Sequence, residues 1–520
     1  MTLQARLEAA LDDHRSGRLA EAIAGYRHVL ASERDNATAE AMLGVALAQT
    51  GVPEEGLSRL RRAAALVPDD AGLHENLGAC LDQAGKRARA GLSYLRSSAL
   101  AAGAGSALAA AAAARIDAGL PDALRLFRRA MALSPADAKW WAALGEAALK
   151  LRLADLAVIC FRRALALGSV RSYVLDRLAE ALLRIGEVEQ AAAAYEALMA
   201  PMRASRWYRP ELSESAGAAT GSDSFRVTSA PKLRHDILQF EYLVEKGLLP
   251  PSFADTIDRY RALLARSAGR ATDGPCFYMT EAERQAIEDT YNRVVHLYRP
   301  RRFGSEVLNA AVDWSAAERR YAATEAGILV VDDLLSADAL ADLRRLCLES
   351  TLWFDDRHLG GYLGAMLRDG FSATVLLRIA SELKRRMPAI FRDLPLAQMW
   401  AYKYDSRLEG TALHADSAAI NVNFWITPDE ANLSEGRGGL VVFDRRAPDE
   451  WEFEKYNNDQ PAIRQFLAES EAKSVIVPYR CNRAVIFHSD LFHRTDDLTF
   501  RDDYASRRIN VTMLFGRRGE

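Results

Sequence analysis

Leu413-His414-Ala415-Asp416 decides how the C-terminal part of this chain is read. His414 and Asp416 stand two residues apart. In extended backbone that spacing turns both side chains to one face, with Cα atoms roughly 6.6 Å apart at a rise of about 3.3 Å per residue. An imidazole and a carboxylate so placed, completed by a distant second imidazole, make a 2-His-1-carboxylate set. Such a set holds one face of an octahedral ion and leaves the other positions open. The spacing alone is common on surface loops, so the flanking sequence has to carry the reading.

Downstream, the stretch 420–427 alternates, with Asn421, Asn423, Trp425 and Thr427 on one face and Ile420, Val422, Phe424 and Ile426 on the other. The stretch 508–515 begins the same way, with Arg508, Asn510 and Thr512 against Ile509, Val511, Met513 and Phe515. Such strands belong either to a sandwich that wets its polar face or to a barrel whose polar face lines a cavity. The metal-type residues nearby favour the cavity. Trp400, Tyr402 and Tyr404 share one face of a strand upstream, and both His488 and His493 offer a distant imidazole. Arg508 shares its face with the polar set and Arg507 with the apolar set, which predicts Arg508 in the cavity and Arg507 at the strand's solvent end.

Together these pieces resemble the Fe(II)- and 2-oxoglutarate-dependent dioxygenases, in their prolyl-hydroxylase-like branch. The matching residues are Tyr404 ten before His414, His414-Ala415-Asp416, Gly438-Gly439-Leu440-Val441-Val442-Phe443, Phe487 leading to His493, and Arg508 with Thr512 four further on. The resemblance covers roughly the last two hundred residues. It implies a double-stranded β-helix (jelly roll) with Fe(II) held by His414, Asp416 and His493. His493 is preferred to His488 because the family's distal histidine follows the strand's aromatic by several residues and precedes the arginine strand. Arg508 would grip the distal carboxylate of 2-oxoglutarate with two parallel N–H bonds. Tyr404, or Tyr402 on the same face, would hydrogen-bond the keto acid, with Asn423 and Thr512 beside it. O₂ is the implied oxidant and ascorbate an accessory reductant. The carboxylate at Asp416 points to hydroxylation, because the related halogenases carry a small residue there.

Residues 1–200 read as a repeat array. Gly17, Gly51, Gly85 and Gly119 recur every 34 residues, Gly44 and Gly78 do likewise, and Gly186 follows at twice that interval less one. Pro68 and Pro135 close second helices. This pattern resembles about six tetratricopeptide (TPR) helix pairs, the fifth with Leu153 where the turn glycine would stand. A solenoid of this kind offers a concave face to a peptide or protein. Trp140, Trp141, His74, Asn76 and Lys139 are candidates for that groove, although the tryptophans serve equally as packing between repeats.

Residues 201–232 are rich in Pro, Ser and Gly and read as a linker. Residues 233–325 read as a helical connector, with helical patterns over 233–243, 252–264 and 280–297. There His235 reads as solvated and Asp236 as a helix-start acid. Residues 326–520 form the oxygenase domain, opening on a β-rich run and a helix capped by Ser336. The expected class is multidomain α + β.

With 67 basic against 70 acidic side chains, the 520-residue chain offers no footing for general nucleic-acid or membrane-surface binding. Five cysteines without a C-x-x-C pair favour a reducing, cytoplasmic setting and argue against structural zinc. The first thirty residues are charged throughout and contain no secretory apolar stretch. The expected activity is hydroxylation of a protein or peptide recruited by the repeat groove. Two alternatives stand beside it: a small-molecule hydroxylase whose repeats serve homodimerisation or docking, and a scaffold with an inactive barrel.

Overall fold

Thr2, Asn36, Asp70 and Asp137 each cap a helix by accepting a backbone N–H with the side chain, and each opens a helix pair. In this computed structural model the described residues are 2–101, 105–117, 123–133, 135–169, 172–204, 226–270, 276–301, 306–324, 327–356, 361–391, 394–405 and 410–519. Gly119 and most of the expected linker lie outside them. The chain divides into two units, Met1–Ala181 and Leu182–Glu520.

The first unit is a TPR-like helical solenoid. Its pairs are Leu3–Arg15 with Leu19–Ser32, Ala37–Gln49 with Pro53–Leu66, Ala71–Gln83 with Arg87–Leu100, Gly105–Asp117 with Ala123–Leu133, and Ala138–Lys150 with Ala154–Ala166. Helices Ser172–Arg184 and Val188–Ala204 follow in sequence, and the boundary between the units falls within the first of them. Where the helices cross, only a small residue fits: a Cβ on Gly145 would lie 2.6 Å from the Phe161 ring. In the fifth pair the left-handed turn residue is Arg152 (φ 60°), one position before the expected Leu153, because the period has slipped by one. Trp140 and Trp141 are partly buried against the repeat core, and Trp141 Nε1 donates to Pro135 O at 3.0 Å. That is the packing role.

In the second unit, helix Val188–Ala204 packs on helix Thr374–Arg386, where Arg378 Nε donates to Glu189 at 3.1 Å. Strand β1 (Val227–Ser229) pairs with β2 (Cys276–Tyr278) beside helices Ala230–Glu245 and Ala254–Arg266. The helix expected over 280–297 runs only from Glu281 to Ile287, behind a capping box of Thr280 and Glu283. Turns follow to Asn292, which is left-handed (φ 53°), and beyond it the N–H groups of Val295 and His296 donate to Thr351 Oγ1 at 2.7 and 3.1 Å and that of Tyr298 to Ser350 Oγ at 3.0 Å.

The expectation of a solvated His235 and a helix-start acid at Asp236 is overturned, since both are buried and Asp236 lies beyond the first turn of helix Ala230–Glu245. Lys232 Nζ donates to Asp236 at 2.6 Å, and the His235 ring lies against Trp353 and Tyr504. This polar side of helix Ala230–Glu245 packs within the second unit: Gln239 donates to the carbonyls of Leu348 and Ser350, and Arg234 to Asp405. The connector is therefore part of that unit.

The β-rich region holds β3 (Ile328–Val331), β4 (Leu363–Met366), β5 (Leu396–Lys403), β6 (Ile420–Trp425), β7 (Leu440–Arg446), β8 (Ser474–Val477), β9 (Ala484–His488), β10 (Leu491–Thr495) and β11 (Ile509–Phe515). Six form an antiparallel sheet in the order β3-β9-β6-β11-β5-β4, and three form a second in the order β10-β7-β8. Trp425, Val485 and Phe487 of the larger sheet join Leu440, Val442, Val477 and Leu491 of the smaller in one core, so the sheets face each other. Among the described residues they do not close into a barrel.

Candidate metal centre

All residues of β6 and β11 are buried, so the polar face of each strand turns into the molecule. Register aligns Thr512 of β11 with Asn423 on one side and Trp400 on the other, and Asn510 with Trp425 and Tyr402. Of these, Trp400, Tyr402, Asn423, Asn510 and Thr512 line a small cavity beside the two sheets. His414, Asp416, His493 and Arg508 line the same cavity.

His414 is set by a single antiparallel bridge to His493, each N–H donating to the other's carbonyl at 2.9 and 2.8 Å. Asp416 N–H donates to Ser489 O at 2.9 Å. The ligating atoms of His414, Asp416 and His493 then lie within 4.8 Å of one another. Nε2 of His414 is 3.7 Å from one carboxylate oxygen and Nε2 of His493 is 3.5 Å from the other. Each Nδ1 contacts a backbone carbonyl, Ala412 O at 2.8 Å and Leu491 O at 2.9 Å. A carbonyl only accepts, so the proton sits on Nδ1 and the Nε2 lone pairs face inward.

Burial, with His493 beside it, pushes His414 down to about 4, which keeps it neutral at neutral pH. Burial alone would raise Asp416, but contact with His493, the positive charge either imidazole carries when protonated and the bond from Asn421 outweigh it and hold the carboxyl low. Two imidazole nitrogens and one carboxylate converge. His488 stands outside this group, its ring 5.7 Å from that of Tyr321.

Arg508 is buried, yet only part of its guanidinium is satisfied. Nε and Nη2 donate to Gly438 O and Gly439 O at 2.9 and 3.1 Å, whereas Nη1 has no partner. The Tyr404 hydroxyl meets Thr411 Oγ1 at 3.0 Å and Thr495 Oγ1 at 3.4 Å. Asn423 Oδ1, Asn510 Oδ1 and Trp400 Nε1 are also buried without partners. Arg507 is not at a solvent end: it is 2% exposed and reaches Asp405 at 3.9 Å. The segment before β11 is covered on both sides, which an alternation argument does not reveal.

The structure thus brings together His414, Asp416, His493, Arg508, Tyr404, Tyr402, Asn423 and Thr512. It adds Asn421, whose Nδ2 donates to Asp416 Oδ2 at 2.8 Å. The alternating face already held Asn421, whereas Thr411 and Thr495 carried no signal in sequence.

No family model matches the chain, and no curated protein matches it. Among solved structures, its N-terminal region is similar to MamA protein, at 20% identity over 32% of this chain and 91% of that one, with TM-score 0.30. Similar too are PilF of Pseudomonas aeruginosa, at 17% over 40% and 94% with TM-score 0.34, and YrrB, a TPR protein with an unusual peptide-binding site, at 18% over 33% and 88% with TM-score 0.30. Among the described residues, no helix is long and apolar enough to cross a membrane.

Proposed function

We propose that the C-terminal unit is an Fe(II)- and 2-oxoglutarate-dependent dioxygenase that hydroxylates a C–H bond. One observation carries this reading: His414, Asp416 and His493 converge in a cavity that also holds a buried guanidinium with an unused N–H. The donor set fits a ferrous ion with open positions, and a buried unpaired Arg N–H fits an anionic oxygen.

The strand order supports a double-stranded β-helix. Successive segments cross between sheets: β5 in the larger, the His414 segment beside β10, β6 in the larger, β7 and β8 in the smaller, then β9, β10 and β11 in alternation.

When bound, Fe(II) with 2-oxoglutarate and O₂ supplies C–H oxidation coupled to loss of CO₂ and formation of succinate. The chain's own residues do the rest. Nη1 of Arg508 receives the distal carboxylate, while its other N–H groups stay on Gly438 and Gly439. The Tyr404 hydroxyl, already shared with Thr411 and Thr495, orients the same end. His414 and His493 each turn Nε2 toward the Asp416 carboxylate, where the ion would be held. The substrate is a protein or peptide, because the repeats offer an extended surface for one.

The test is uncoupled turnover of 2-oxoglutarate to succinate with Fe(II) and ascorbate. The wild-type chain should release succinate and His414→Ala should not. Equal release by both overturns the reading. A gain of one oxygen on a cross-linked partner, seen by mass spectrometry, would identify the substrate.

A further inference from the structure

Asn421 has no exposed surface, and its backbone is paired on both sides, opposite Leu514 of β11 and Phe487 of β9. It is the rigid member of its contact with Asp416. Asp416 lies on irregular backbone between the His414 bridge and β6, where no strand ladder fixes its side chain. The carboxylate is divided: Oδ2 accepts from Asn421 at 2.8 Å and faces His493, while Oδ1 faces His414. Asn421 Oδ1 has no partner. A buried amide that served packing alone would leave neither end unsatisfied at this cost.

We propose that Asn421 is a positioning residue. It holds the Asp416 carboxylate in one orientation between the two imidazoles, so that metal affinity depends on it. This rests on the metal-centre reading above. Partners that orient a ligand typically change metal affinity by about 10–100-fold when removed.

The experiment titrates the full-length, metal-free chain with Co(II), followed by visible absorption, alongside its thermal unfolding midpoint without metal. Asn421→Leu keeps a similar volume without a donor, and should weaken Co(II) binding by about 10–100-fold and alter the absorption bands. Its metal-free midpoint should stay within a few degrees of wild type. Asn421→Ser retains a donor and should recover part of the affinity. Wild-type affinity and bands in the Leu variant, or equal losses in both variants, would overturn the proposal. Failure of the wild-type chain to take up Co(II) would overturn the metal-centre reading itself, and is visible before any variant is made.

Discussion

The guanidinium carbon of Arg508 lies 4.7 Å from the centroid of the Tyr404 ring, and the Tyr404 N–H donates to Arg508 O at 3.0 Å. Backbone and side chain thus fix the same pair. The fork spends two groups on the Gly438 and Gly439 carbonyls and keeps Nη1 for a ligand. Lysine has the charge but cannot serve both carbonyls and a carboxylate in one plane. Arg508→Lys should weaken 2-oxoglutarate binding by about 1.5–3 kcal/mol, the size of a charge-assisted hydrogen bond, while leaving Co(II) uptake unchanged. Calorimetric titration with the keto acid measures the first, and titration with Co(II) the second.

The two C-terminal histidines should separate cleanly. Only His493 reaches Asp416, whereas His488 faces Tyr321. His493→Ala should lose Co(II) binding and succinate release, and His488→Gln should retain both. The opposite result would move the third ligand to β9.

Much of this site was legible because a strand's period of two sorts side chains without ambiguity. The faces of 420–427 and 508–515 marked Asn423, Arg508 and Thr512, and a two-residue spacing marked His414 with Asp416. What stayed hidden is where a second layer covers a polar face. Lys232, Asp236 and Gln239 lie one helical turn apart, the pattern of a solvated stripe, yet Lys403 and Tyr504 lie beyond them in a buried network. Arg507 failed for the same reason. The irregular backbone of 295–298 was invisible because its partners, Ser350 and Thr351, are distant in sequence.

Stability should fall with acid through histidines buried neutral. Burial pushes His414 and His488 each down to about 4, with His493 and Arg446 respectively adding to the shift. Burial, then Lys403, Lys232 and Arg507, lowers His235 well below its ordinary value. An unfolded histidine takes its proton near pH 6.5, so the unfolded chain binds more protons below that pH. The contribution of His414 and His488 is complete above about pH 6.5 and is lost between there and about pH 4. Urea unfolding of the metal-free chain across this window should show the decline, and His488→Gln should make it shallower.

Removing the cover should cost more than removing a linker would. Helix Ala230–Glu245 places Arg234, His235 and Gln239 against the unit that carries the metal centre. A chain of residues 182–520 should fold and bind Co(II). One of residues 326–520 exposes Lys403, Trp353 and Tyr504, and should aggregate or unfold, as size-exclusion chromatography would show.

Asp405 is the sharpest point of that interface. It is 2% exposed, accepts from Arg234 Nε at 3.1 Å and lies 3.9 Å from Arg507, which is equally buried. Asp405→Ala leaves Arg507 in a dry site without its nearest countercharge, whereas Arg234, less buried, can turn toward water. Breaking a buried pair from one side costs about 3–5 kcal/mol, so the urea midpoint should drop steeply. Replacing both charges is a different perturbation. Asp405→Ala with Arg507→Met removes the orphaned cation and fills its volume, and should recover most of the loss. If the double variant is no more stable than the single one, the cost lies in the lost bond to Arg234 and not in the stranded charge.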